Sequence, residues 1–136
     1  MDEAVIKLYR KLIREGFNYT GSFENPSIFL DSIGENISIC SKVAKSYIHL
    51  YIKIKDDRFE DIKYLCMCDP TANVAAEILC RLVKGKTINE VRQVTPDSFI
   101  GVLDGRSDDL AKKAAGLLEL LGRGIERYQN SNPKPC

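Results

Sequence analysis

Cysteine supplies the chain's most suggestive chemistry, at Cys40, Cys66, Cys68, Cys80 and Cys136. Their odd number and irregular spacing do not describe a disulfide framework. Scattered thiols of this kind point instead to thiol chemistry, metal binding or core packing. Cys66-Met67-Cys68 is the strongest local pattern. In extended chain, residues two apart project to the same side, so both sulfurs could reach one metal ion. Asp69-Pro70 follows at once, an N-cap residue and a proline suited to the first helical position. A sulfur just ahead of a helix feels the positive end of its dipole, which favours thiolate, the form that binds iron or zinc and attacks persulfides. The same two side chains also suit a plainer role, as small apolar groups closing a core. The single histidine, His49, excludes a multi-histidine metal site and a conventional metalloprotease.

These residues must be positioned by the surrounding elements. Val5, Leu8, Tyr9, Leu12 and Ile13 form one apolar stripe over Glu3–Glu15, so residues 1–16 read as an N-terminal helix stopped at Gly16. Residues 17–36, rich in Asn, Ser, Gly and Pro, read as irregular chain on the surface, long enough to predict mobility or partial strand pairing. From Tyr47 the period changes to two. Ile48, Leu50, Ile52 and Ile54 define a buried face, while Tyr47, His49, Tyr51 and Lys53 define the other. A turn at Lys55-Asp56-Asp57 leads into a second strand over 58–65, with a third strand expected near 37–43. The helix from Pro70 to about Lys84 is apolar around most of its circumference. Only Asn73, Glu77 and Arg81 interrupt it, with Glu77 and Arg81 at the spacing of an ordinary i, i+4 pair, so it is the central, covered element. A short helix from Thr87, a connecting segment over 96–105 and a final helix capped by Ser107 complete the pattern, and residues 130–136 read as a flexible tail. Cys80 falls among the core residues of the central helix. The order predicts one α+β domain over 1–136, a small antiparallel sheet with helices on one face.

Composition narrows the function. The 136 residues suit one domain, and 44% hydrophobic with 29% charged residues is a globular balance. Lys plus Arg number 20 against 19 acids, which argues against a nucleic-acid binder. No apolar run approaches a membrane span, and the acidic Met1-Asp2-Glu3 start does not read as a secretory signal, so a cytoplasmic protein is expected. There is no glycine-rich phosphate loop, no serine–histidine–aspartate set and no pair of carboxylates on rigid elements. An enzyme acting on its own is not expected.

Gly21-Ser22-Phe23-Glu24-Asn25, the hairpin, a cysteine at the strand-to-helix junction and Leu82-Val83-Lys84-Gly85-Lys86-Thr87 with Glu90 together resemble the NifU/IscU-type iron–sulfur cluster scaffold family. The resemblance runs from the first helix to the last, and Val83-Lys84-Gly85-Lys86 is its most specific stretch. It implies an α+β sandwich that assembles clusters on three cysteines near one end of the domain. It also implies a cysteine desulfurase and apo-protein clients as partners, with iron or an iron–sulfur cluster bound, or zinc in the isolated protein.

Residue by residue, the match is incomplete. The family's cysteine before the central helix falls on Cys68. Its first ligand motif, Cys-Gly-Asp, falls on Ala44-Lys45-Ser46, with Cys40 four residues upstream. Its His-Cys pair before the last helix falls near Leu103-Asp104, or on Gly105-Arg106 with a one-residue gap. A cluster takes four thiolates or near equivalents, so the implied site is an atypical one built from Cys66, Cys68, Cys40 and Asp104. SufE-type sulfur acceptors share the architecture. Arg106-Ser107 and Cys40-Ser41-Lys42-Val43 are similar to their motifs, which leaves a persulfide acceptor as a second expectation. An interaction domain that keeps the fold without the chemistry is a third.

Overall fold

A computed structural model describes residues 2–37, 39, 46–103 and 105–131. Strands β1 (Ile28–Asp31), β2 (Tyr47–Lys55) and β3 (Arg58–Met67) form an antiparallel three-stranded sheet in the order β1-β2-β3. Helices α1 (Glu3–Glu15), α2 (Pro70–Val83), α3 (Ile88–Arg92), α4 (Pro96–Ile100) and α5 (Asp108–Ser131) complete the described elements. The fold is α+β, as expected.

The period-two pattern of β2 sets the geometry. Ile48, Leu50 and Ile52 are fully buried beside Ile28 and Leu30 of β1 and Ile62 and Tyr64 of β3. Asp56 and Asp57 turn the β2–β3 hairpin with positive φ at both positions, the conformation that matches the twist of paired strands. A register shift between Lys53 and Ile54 marks a bulge, and it keeps Phe59 in the core although it differs in parity from Ile62.

Helices α2 and α5 cover the inner face. Asp69 caps α2, its side chain accepting from the Ala72 amide at 2.9 Å, and Pro70 opens the helix. As the nearly all-apolar pattern requires, α2 is buried on most sides, with Val74, Ala75, Ala76, Leu79 and Cys80 fully inside. Ser107 accepts from the Leu110 amide at 3.0 Å and so caps α5, while its own hydroxyl donates to Asp2. Helix α5 buries Leu110, Ala114, Leu117, Leu120, Leu121, Gly124 and Ile125, with Leu118 only partly buried.

Several expectations require correction. The 17–36 segment is not irregular throughout: it shows the partial strand pairing expected as one alternative, in β1. Ser27 and Ser32 hydroxyls extend that pairing by accepting the Ile54 and Ile48 amides. Thr20 bridges Tyr64 in parallel, so the segment also pairs with the opposite sheet edge. Of the strand expected near 37–43, only Ile37 and Ile39 are described; the Ile37 amide donates to the Ser32 carbonyl at 3.0 Å, and the rest of that expectation lies outside the described residues. The segment 96–105 holds α4, with Thr95 and Ser98 forming a reciprocal cap. On α1, Ile13 is exposed rather than part of the stripe, because Val5 and Leu12 make the buried contacts. Helix α5 continues through Ser131, and residues 132–136 of the expected tail lie outside the described residues.

Candidate functional site

The junction between β3 and α2 carries the two sulfurs. Cys66 is the inward partner of Ile48 near the end of β3, sharing its face with Ile62 and Tyr64. Met67 turns outward and is 62% exposed, and Cys68 then leads into the Asp69 cap. Neither cysteine is in a disulfide, and both are half-buried and packed against the rim of the core. Cys66 faces the helical side of the sheet with Ile62 and Tyr64, and Cys68, beyond the last strand residue, also packs against the core.

Around them lies a polar network. The Tyr64 hydroxyl lies 2.9 Å from Asn73 Oδ1 and 3.3 Å from Glu77 Oε1. Glu77 is fully buried, and its oxygens also accept from the backbone amides of Asn18 and Tyr19 at 3.0 and 3.2 Å. It therefore holds the chain after α1 to α2, and the expected surface pairing of Glu77 with Arg81 is corrected: backbone amides from that chain and the Tyr64 hydroxyl, not an exposed guanidinium, hold this carboxylate. Burial pushes the Tyr64 hydroxyl well above the usual tyrosine range, with the Glu77 carboxylate acting in the same direction. One turn earlier, Lys113 of α5 places its ammonium 3.3 Å from Asp69 Oδ2. Asn73, Glu77 and Lys113 were not assigned to the site from sequence. The polar stripe along an otherwise apolar α2 was the signal for the first two, and Lys113 had none.

The other sequence candidates separate from the pair. His49 lies on the outer face of the sheet, 3.4 Å from Asp31 Oδ1, tilted against the Tyr47 ring and edge-on to Phe29, so the sheet itself divides it from Cys66. Cys80 is fully buried in the core, and burial pushes its thiol well above the usual range. Arg106 is exposed ahead of the Ser107 cap, the ordinary helix start that the Arg-Ser pair also allowed. Cys40 and Asp104, assigned to the metal site from the resemblance, and Cys136 lie outside the described residues. Among the described residues, no three His, Cys, Asp or Glu side chains converge on one point. Among the same residues, no helix is long and apolar enough to cross a membrane.

The antiparallel sheet with helices packed on one face defines an α+β domain, and the comparisons with known proteins place that fold in a family. Residues 21–134 match the family model described as the NifU-like N-terminal domain, and the chain belongs to that family. It is 29% identical over 104 residues to the iron–sulfur cluster assembly scaffold proteins IscU 1 and IscU 2 of Archaeoglobus fulgidus, an alignment covering 76% of this chain. The chain spans 66% of the length of these curated relatives, just under two thirds. In fold it is similar to the N-terminal NifU-like protein of Brucella abortus, with a TM-score of 0.61 at 12% identity over 95% of this chain and 94% of that one. It is similar too to a protein of Fervidobacterium islandicum AW-1 assigned as a scaffold for the SUF system, with a TM-score of 0.52 at 12% identity, over 95% and 86% of the two chains.

Proposed function

We propose that this chain is a scaffold-like protein of iron–sulfur cluster assembly that holds iron or a nascent cluster as cargo on Cys66 and Cys68. The observation that carries the reading is that Cys66, near the end of β3, and Cys68, directly before the α2 cap, are both half-buried against the rim of the core. Thiolates are the soft ligands that iron and zinc select, and the helix start behind Cys68 favours negative charge. Two thiolates do not complete a cluster, and Cys40 and Asp104 are the donors assigned to the remaining positions.

The chain's own residues bind and orient; they do not turn over a substrate, so the protein is not an enzyme by itself. Sulfur comes from a cysteine desulfurase, and the finished cargo passes to apo-proteins in the cytoplasm. The family membership and the two archaeal relatives named as cluster assembly scaffolds support these partners.

Anaerobic incubation with ferrous iron and sulfide, followed by visible absorption and iron counting, tests the reading. Charge-transfer bands and bound iron that disappear in Cys66→Ala/Cys68→Ala are expected. No bound iron at any reagent ratio reduces the kinship to one of fold alone. Sulfur added to Cys40 or Cys68 by a desulfurase, without iron uptake, favours the persulfide acceptor.

A further inference from the structure

We propose that Lys113 is a positioning residue for the sulfur site, cancelling the negative charge of Asp69 beside Cys68 and tying the start of α2 to α5. The inference rests on the reading of Cys66 and Cys68 as the site of cargo binding.

Asp69 follows Cys68 directly and caps α2, so a carboxylate is fixed next to the sulfur whether or not it helps the chemistry. A metal–thiolate centre is anionic, and so is a persulfide sulfur. Each is repelled by a neighbouring carboxylate whose charge is not cancelled. The carboxylate is nevertheless committed on both oxygens. Oδ1 accepts from the Ala72 amide at 2.9 Å, which holds the helix start, and Oδ2 faces Lys113 Nζ at 3.3 Å.

The lysine is not a loose surface partner. Its side chain is only 13% exposed and that of Asp69 only 25%, so water screens the pair less than it would on the surface. Lys112, the preceding residue, is exposed and provides the comparison. A cap carboxylate is thereby kept for its hydrogen bond while its charge is cancelled from a second helix.

The test compares how fast Cys68 is alkylated by iodoacetate, an anion, and by neutral iodoacetamide, with peptide mapping of the full chain. The ratio of the two rates reports local potential, because accessibility and thiolate fraction affect both reagents alike. Lys113→Met is expected to lower the iodoacetate-to-iodoacetamide ratio by about three- to tenfold, the size of one partly screened charge at close range. Lys112→Met and Lys113→Arg leave it unchanged. Asp69→Asn/Lys113→Met restores it, since asparagine keeps the cap and removes the charge. If Lys113→Met does not fold, Asp69→Asn alone is expected to raise the ratio. An unchanged ratio in Lys113→Met, or one that Asp69→Asn fails to restore, overturns the proposal. The ratio is read without iron, so an absence of iron uptake by the unmutated protein counts against the cargo reading and not against this charge relationship.

Discussion

The hydroxyl of Tyr64 meets the carboxylate of Glu77 inside the core, 3.3 Å away, where neither side chain is exposed. Tyr64 belongs to the strand that carries Cys66 near its end, and Glu77 to the helix that begins beyond Cys68. The contact therefore closes the two elements behind the sulfur pair. Glu77 also receives the Asn18 and Tyr19 amides, so one carboxylate joins three parts of the chain.

Glu77→Gln is expected to lower stability by about 1–3 kcal/mol, because an amide NH2 cannot accept and leaves a buried donor unmet. Urea midpoints measure the loss. Hydrogen exchange at the Asn18 and Tyr19 amides is expected to accelerate more than exchange in the β2–β3 ladder. Equal acceleration across the chain would show that Glu77 does not specifically hold that segment.

Two nearby glycines on α5 are expected to respond in opposite directions. A Cβ at Gly124 would stand 2.7 and 2.8 Å from the two terminal methyls of Leu30 and 3.0 Å from Ile28 Cγ2. Overpacking of about 1–3 kcal/mol outweighs the helix-propensity gain of roughly 1 kcal/mol, so Gly124→Ala destabilises. At Gly122 nothing lies within 4 Å, and Gly122→Ala is expected to stabilise by about 0.5–1 kcal/mol. Thermal melts of the two variants provide the comparison, and a shared sign contradicts the packing of α5 on β1.

Stability is expected to fall on the alkaline side. Burial holds Cys80 and Tyr64 protonated in the folded chain, while their unfolded counterparts ionise near pH 8.5 and 10 respectively, to within about a unit. Above those values the unfolded state has released protons that the folded state retains, so stability decreases as pH rises. The slope is about 1.4 kcal/mol per pH unit for each group. Urea midpoints from pH 7 to pH 11 should show a decline that Cys80→Ala delays and Tyr64→Phe makes shallower. Flat midpoints in the unmutated chain are the contrary result.

The sheet and the central helix were legible because burial writes itself into periodicity. Ile48, Leu50 and Ile52 alternate with half-exposed residues, and α2 has almost no polar face. Strand β1 was legible only as possible pairing somewhere in 17–36, because it spans four residues and is flanked by Pro26 and glycine-bearing turns, so local turn chemistry masked the Ile28–Leu30 alternation. The location of Cys66 and Cys68 at a strand-to-helix junction was legible from local pattern alone. Its polar surroundings were not, since the bond between Lys113 and Asp69 joins positions far apart in sequence, and the burial of Glu77 depends on amides delivered from the chain after α1. Periodicity reports what faces the core, and it is silent on which distant partner satisfies a buried charge.

The assignment of Cys66 and Cys68 as the metal site is tested most directly by differential alkylation with peptide mapping, with and without ferrous iron under anaerobic conditions. Without metal, both thiols are expected to react well ahead of the buried Cys80, with Cys68 the faster of the two. Iron is expected to protect them together, leaving Cys80 unchanged. If the two react no faster than Cys80 and iron alters neither, they are core residues and the assignment is contradicted.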